Sequence, residues 1–122
     1  MNSEILIPQE IIQNKILLIR GKKVMLGRAL AELYEVETKY LTRQVRRNKD
    51  RFPEEFLLVL TRQEVTNLKR QFGTSSWGGT RKPPFAFTEH GILMLSSVLN
   101  SKRAIQVNLQ IMKTFIQTND IN

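Results

Sequence analysis

Apolar residues recur at three- and four-residue intervals in two neighbouring stretches, and this spacing places them on one face of a helix. The stretches are residues 28–34, with Leu30, Leu33 and Tyr34, and residues 38–48, with Leu41 and Val45. The few residues between them leave room only for a tight turn. We therefore predict two short helices that form a helix-turn-helix within Leu26–Asn48.

Shorter apolar runs without helical spacing predict β-strands. Residues 15–20 and 22–26 lie on either side of a turn at Gly21-Lys22. A glycine in the first turn position suits a type II′ hairpin, so we predict a β-hairpin of that type. Two later runs, residues 56–60 and 85–87, predict further strands.

Residues that favour helix N-termini mark the remaining helix starts. They are Pro8 as the first residue of a short helix within residues 5–14, the capping box of Thr61 and Glu64, Thr88 before residues 89–99, and Ser101 before residues 102–117. At 122 residues the chain can bury only one core. The sequence therefore predicts a helix-rich α+β single domain, residues 1–122, with a β-hairpin, a helix-turn-helix and a long C-terminal helix.

The last predicted helix is apolar on two adjacent stripes. The first stripe is Ala104, Val107, Ile111 and Phe115, and the second is Ile105, Leu109, Met112 and Ile116. This is wider than one core contact usually demands. We therefore expect the helix over residues 102–117 to be a candidate homodimer contact.

The chain carries 19 Lys and Arg residues against 11 Asp and Glu residues, which gives a net charge of +8. Such a surplus attracts nucleic acids, although it would also serve an anionic membrane surface or simple solubility. The N-terminus lacks the features of a signal peptide, and no apolar stretch approaches the roughly 20 residues of a membrane span. The absence of cysteine excludes disulfides and favours a reducing compartment. We expect a cytoplasmic protein without a membrane partner.

Residue types suited to catalysis are scarce in this chain. His90 is the only histidine, and no set of His, Asp and Glu has the spacing of metal ligands. The adjacent pair Glu54-Glu55 fits a solvated turn better than a catalytic carboxylate pair. The glycines around Trp77 are not followed by the Lys-Ser or Lys-Thr of a phosphate-binding loop. We expect no enzyme activity, no cofactor, no metal and no small-molecule substrate.

Polar and basic residues cover the second helix of the predicted helix-turn-helix. Lys39, Thr42, Arg43 and Arg46 share one face at helical spacing, opposite Leu41 and Val45, and Arg47 and Asn48 follow at the end of the helix. In a DNA major groove, side chains of such a helix reach base edges, and residues nearer its end meet phosphates. We predict that the first three contact bases of double-stranded DNA and the last three its backbone. The alternative is a solvated helix whose arginines only increase solubility.

A loop is predicted for residues 73–84, which hold three glycines and two prolines. Its candidate DNA contacts are Ser75, Ser76, Trp77, Arg81 and Lys82. Hydroxyls and free amides bind phosphate, and an arginine or an aromatic ring can enter a minor groove. The alternative, which the residues favour slightly, is a connector with Trp77 folded onto the core. The loop is therefore a secondary candidate site.

Several strings of residues are distinctive when taken together. They are Val24-Met25-Leu26, Leu30-Ala31-Glu32-Leu33-Tyr34, Val45 with Arg47-Asn48, Arg51-Phe52-Pro53-Glu54, Thr74-Ser75-Ser76-Trp77-Gly78-Gly79, Ala86-Phe87-Thr88-Glu89 and Leu95-Ser96-Ser97-Val98-Leu99. Over about residues 11–115 the chain resembles the bacterial and phage ORF-six N-terminal DNA-binding domain, a relative of the KilA-N and BRO-N antirepressor domains. It departs from that pattern at three positions. Gly27 stands where such domains tend to have aspartate, Glu35 stands in place of glycine, and His90 stands where glutamine is frequent.

The resemblance implies a DNA-binding domain of phage or prophage regulators, usually N-terminal to a variable second domain. We therefore expect a regulator of transcription or lysogeny, antirepressor-like, that binds double-stranded DNA through the helix of residues 38–48. The rival hypothesis is a protein-interaction module that sequesters a repressor or self-associates without contacting DNA. It rests on the apolar width of the last helix.

Overall fold

The computed structural model describes residues 7–72 and 83–120 of the chain. Within these residues it contains six α-helices, one short 3-10 helix and one four-stranded sheet. In chain order the elements are α1 (Gln9–Lys15), β1 (Ile16–Ile19), β2 (Lys22–Leu26), α2 (Gly27–Tyr34), α3 (Thr38–Arg47), the 3-10 helix (Lys49–Arg51), β3 (Leu57–Val59), α4 (Arg62–Phe72), β4 (Phe85–Thr88), α5 (Glu89–Leu99) and α6 (Lys102–Asp120). The predicted helix-rich α+β fold is confirmed.

The sheet has the strand order β1-β2-β4-β3, and all of its neighbouring strands are antiparallel. Strand β4 comes last in the chain but lies between β2 and β3. Phe87 of β4 faces Met25 on one neighbour and Leu57 on the other. The strand that precedes α5 therefore joins the N-terminal hairpin to the middle of the chain.

The predicted hairpin is confirmed, but its predicted turn is wrong. Ile19 pairs with Lys22, so the two turn residues are Arg20 and Gly21, with φ angles of 53° and 74°. Two successive positive φ angles make a type I′ turn, which matches the twist of the strands. The Arg20 guanidinium donates to both carboxylate oxygens of Glu64 at 2.9 Å, and this holds the turn against α4.

Alternation along the strands divides the apolar residues between two cores. Met25 and Phe87 face the larger core, to which α1, α2, α3, α5 and α6 contribute. Val24, Leu26 and Ala86 face a smaller core that includes Leu68 of α4. The sheet therefore carries α4 on one face and the other helices on the opposite face.

Helix N-termini form mostly where the sequence predicts them. Thr61 and Glu64 exchange two hydrogen bonds, from Thr61 N–H to Oε1 at 2.8 Å and from Glu64 N–H to Oγ1 at 3.1 Å. Thr88 caps α5 and Ser101 caps α6. Pro8, by contrast, is extended with ψ 135° and precedes the first helical residue, Gln9. Its predicted place inside the helix is therefore corrected by one residue.

One close backbone contact fixes α5 against the chain before β3. A Cβ atom built on Gly91 would lie 2.1 Å from the carbonyl oxygen of Phe56. The same oxygen accepts a hydrogen bond from Thr88 N–H at 3.1 Å. Only glycine leaves room for the two segments to approach this closely.

A buried polar network ties α2 to α5 and α6. The Tyr34 hydroxyl donates to Asn108 Oδ1 at 2.5 Å. Asn108 Nδ2 in turn donates to Ile92 O at 2.9 Å and to Ser96 Oγ at 2.6 Å. Burial raises the pKa of Tyr34, which keeps its hydroxyl protonated as a donor. The first helix of the helix-turn-helix is thus held in place by α6.

Candidate nucleic-acid interface

The two helices that were predicted to make a helix-turn-helix form as α2 and α3, with three residues between them. Glu35 follows α2 in the left-handed region, with φ 60°, and Val36 N–H donates to Ala31 O at 3.0 Å. Arg103 of α6 braces this turn, since its Nε donates to Leu33 O at 2.9 Å and its Nη2 lies 3.5 Å from Glu35 Oε2. A glutamate therefore occupies a backbone conformation that favours glycine.

Helix α3 is attached to the core by Leu41 and Val45, which are buried. Four basic side chains of the predicted site are exposed on it, namely Lys39, Arg43, Arg46 and Arg47. The other two predicted site residues, Thr42 and Asn48, are half-buried. Tyr40 is also exposed on this helix, and it was not among the predicted site residues.

Asn48 ends α3 instead of extending the basic surface. Its Nδ2 donates to Gln44 O at 2.8 Å, one turn earlier in the helix. This bond satisfies a carbonyl at the helix C-terminus, where such groups lack helical partners. Asn48 does not line the groove that runs beside α3.

A groove of about 750 Å³ runs beside α3. Its described lining residues are Gly27, Arg28, Thr38, Lys39, Thr42, Arg43, Arg46, Arg47, Pro83, Pro84 and Phe85. Five of these are cationic and none is acidic. The groove therefore brings together five of the six predicted α3 residues and adds Arg28 from α2. Arg28 was not among the predicted site residues, because it lies on the neighbouring helix and joins the site only through the helix crossing.

Two helix N-termini contribute to the same groove, at Gly27 and at Thr38. Among the described residues, no side chain caps either N-terminus. The N-terminal end of a helix carries a partial positive charge. Backbone and side chains therefore reinforce one another in a positive potential along this groove.

The charge of Arg28 also acts on a neighbouring carboxylate. Glu32, one turn further along α2, has a lowered pKa mainly because Lys15 Nζ donates to it at 2.7 Å, and Arg28 adds a smaller effect of the same sign. Arg28 thus lies between Glu32 and the groove, and it lines pockets on both sides.

The far wall of the groove is the segment that leads into β4. Leu60 N–H donates to Pro84 O at 3.1 Å and fixes this wall to the end of β3. The predicted secondary site, Ser75, Ser76, Trp77, Arg81 and Lys82, lies outside the described residues.

Other candidate chemistry is sparse in residues 7–72 and 83–120. His90 is exposed and its ring stacks on Phe56 with centroids 5.6 Å apart. In these ranges no three His, Asp or Glu side chains gather in a way that could hold a metal ion. None of the described helices has both the length and the apolar character required to cross a membrane.

Comparison with known proteins gives one family match. No curated protein and no solved structure matches the chain. The family model described as the ORF6N domain matches residues 14–98, which include the sheet, the helix-turn-helix and every described residue that lines the groove. The match covers well over half of the sequence and lies within the stretch whose residues show the resemblance. The chain therefore belongs to the ORF6N domain family, a family of phage type.

Proposed function

We propose that this chain is a DNA-binding regulatory domain that contacts double-stranded DNA through α3. The observation that carries the proposal is the groove beside α3, whose described lining contains five cations and no acid. A surface of this kind attracts the phosphate backbone and releases bound counterions when DNA binds. Regulation of transcription or lysogeny follows if the bound domain controls access to DNA, and it needs no catalytic step.

The exposed face of α3 has the composition of a helix that enters a major groove. Arg43 lies at its centre, with Lys39 and Arg47 one turn away on either side. An arginine there can make two hydrogen bonds to guanine O6 and N7. Arg47, nearer the C-terminus of the helix, is placed for phosphate. The two arginines therefore have different roles in this proposal.

The experiment compares Arg43→Ala with Arg47→Ala on duplexes selected from random DNA. Arg43→Ala should relax sequence preference and cost about 1 to 3 kcal/mol at the selected site, because a two-bond base contact is lost. Arg47→Ala should weaken all duplexes alike and make the slope of log K against log salt shallower by about one unit. Both effects are measured by fluorescence anisotropy over a series of salt concentrations.

Lys113→Ala is the matched control, since Lys113 is an exposed cation on α6, away from the groove. It should bind DNA as the unmodified protein does. If both arginine variants keep native circular dichroism and full DNA affinity, α3 does not contact DNA and the proposal is wrong.

A second candidate function is self-association through α6. The first apolar stripe of this helix is buried in the core, whereas Ile105, Leu109 and Ile116 of the second stripe are 43%, 58% and 55% exposed. With Met112 they follow a spacing of four, three and four residues, which is the seam of a two-helix coiled coil. Sedimentation velocity tests this: the protein should dimerise, and Leu109→Lys should leave it monomeric. A monomer at every concentration would exclude the dimer.

A further inference from the structure

We infer that the groove beside α3 holds the sugar-phosphate backbone of one DNA strand, and that Arg28 of α2 is a phosphate contact in it. This inference rests on the proposed DNA-binding function and extends it to a residue outside α3.

The shape of the surface beside α3 suits a DNA strand. A helix that enters a major groove has to project from the protein surface. A concave groove runs along α3 and is lined on one side by Thr38, Lys39, Thr42, Arg43, Arg46 and Arg47, with Pro83, Pro84 and Phe85 also in its lining. Tyr40 is exposed on α3 but does not line that groove. A DNA strand that lies in this groove brings its phosphates beside α3, and Arg43 can then reach a base of the same duplex.

The groove also offers positive charge and hydrogen-bond donors. The five cations of the groove match a ligand that carries several negative charges in a row, and a DNA strand has one phosphate about every 3.4 Å. The hydroxyls of Thr38 and Thr42 are further donors of the kind that commonly contact phosphate oxygens. The apolar wall of Pro83, Pro84 and Phe85 can pack against sugar carbons. Each chemical part of the backbone thus has a counterpart in the groove.

Arg28 is the groove cation that lies outside α3. It comes from the first helix of the predicted helix-turn-helix, and in that architecture the first helix crosses the DNA backbone. Its side chain lines the groove together with the α3 cations. Because a phosphate needs a positive charge and not a particular fork geometry, lysine can replace arginine at such a position. A base contact made by two parallel hydrogen bonds would not tolerate that exchange.

The test measures binding of a random-sequence duplex to Arg28→Ala, Arg28→Lys, Glu32→Gln and the control Lys113→Ala. One lost phosphate contact lowers the salt slope by about 0.9. The ratio of the unmodified protein's affinity to that of Arg28→Ala should therefore be about eightfold larger at 0.1 M salt than at 1 M. Arg28→Lys should restore both the slope and the affinity. Glu32→Gln removes the carboxylate beside Arg28 and should bind no more weakly than the unmodified protein.

The outcomes separate this inference from the proposed function. If Arg47→Ala weakens binding while Arg28→Ala behaves like Lys113→Ala, Arg28 is not a phosphate contact and the inference is wrong, yet α3 still contacts DNA. If Glu32→Gln weakens binding as much as Arg28→Ala, the effect arises from the structure of α2 and the inference is wrong. If the unmodified protein shows no salt-dependent binding, both proposals fail.

A second arm distinguishes a DNA strand from a free polyphosphate. ATP without magnesium carries several phosphate charges and is small enough to enter the groove. At equal phosphate concentration, ATP should displace the labelled duplex at least tenfold less well than unlabelled duplex does. Competition of equal strength that is lost in Arg28→Ala would assign the groove to a small nucleotide and overturn the inference.

Discussion

Replacing Gly91 with alanine tests whether α5 packs against the chain before β3 as closely as described. An alanine in a helix ordinarily stabilises by up to about 1 kcal/mol relative to glycine. Here the added Cβ would lie 2.1 Å from Phe56 O, whereas ordinary contacts begin near 3.4 Å, so α5 has to move by about 1.3 Å. The sign of the effect should therefore be reversed.

The size of the effect follows from what this shift disrupts. Thr88 N–H donates to Phe56 O at 3.1 Å, and Thr88 Oγ1 donates to Glu55 O at 2.8 Å. Two such hydrogen bonds contribute about 0.5 to 1.5 kcal/mol each, and overpacking adds about 1 to 3 kcal/mol. After the gain in helix propensity is subtracted, we expect a loss of about 3 kcal/mol in the free energy of unfolding.

Urea denaturation followed by circular dichroism measures this loss as a lower midpoint at an unchanged m-value. Gly27→Ala is the control, because its Cβ would meet nothing closer than a side-chain atom of Phe87 at 3.4 Å. The control should change the free energy of unfolding by less than about 1 kcal/mol. Equal stability of the two variants would refute the close packing of α5.

Three further predictions use the same denaturation assay. Tyr34→Phe should cost about 1 to 3 kcal/mol, because Asn108 Oδ1 is left buried without its donor; an unchanged midpoint would contradict the network. Glu35→Gly should stabilise by up to about 1 kcal/mol, since it relieves a left-handed backbone that costs about 1 to 2 kcal/mol, partly offset by the entropy of glycine. The Arg20 guanidinium, together with a smaller effect of the hydrogen bond from Thr61 N–H, lowers the pKa of Glu64 from 4.5 to about 2, so the stability that Glu64 contributes is present above pH 4.5 and lost as the pH falls toward 2. Arg20→Gln should therefore lose less stability between pH 5 and pH 2.5 than the unmodified protein, and equal losses would count against the pair.

The sequence predicted those parts of the fold that depend on neighbouring residues. Thr61 and Glu64 are three residues apart, and Thr88 bonds Gly91 at the same separation, so each cap is visible in a short window. The type of the hairpin turn was missed because it depends on Arg20, a residue that rarely adopts positive φ. The central place of β4 joins segments some sixty residues apart, and no local pattern indicates it.

The residues of the candidate site were likewise predictable only where they depend on neighbours in the sequence. The basic face of α3 was predictable because helical periodicity sets which of its residues point away from Leu41 and Val45. Arg28 could not be assigned to that surface, since it belongs to α2 and meets the α3 residues only across the crossing of the two helices. Asn48 lies at the end of α3, as predicted, but its amide donates to Gln44 O instead of extending the basic face.

The attachment of α3 has a consequence for how such a domain can diversify. Of its ten residues, all of them described, only Leu41 and Val45 are buried. Surface substitutions outside cores and caps usually change stability by less than about 0.5 kcal/mol. The outer residues of α3 are therefore free to vary together while the scaffold stays folded. Under the proposed function, descendants of one such gene could acquire new DNA target sequences by changes confined to a single helix.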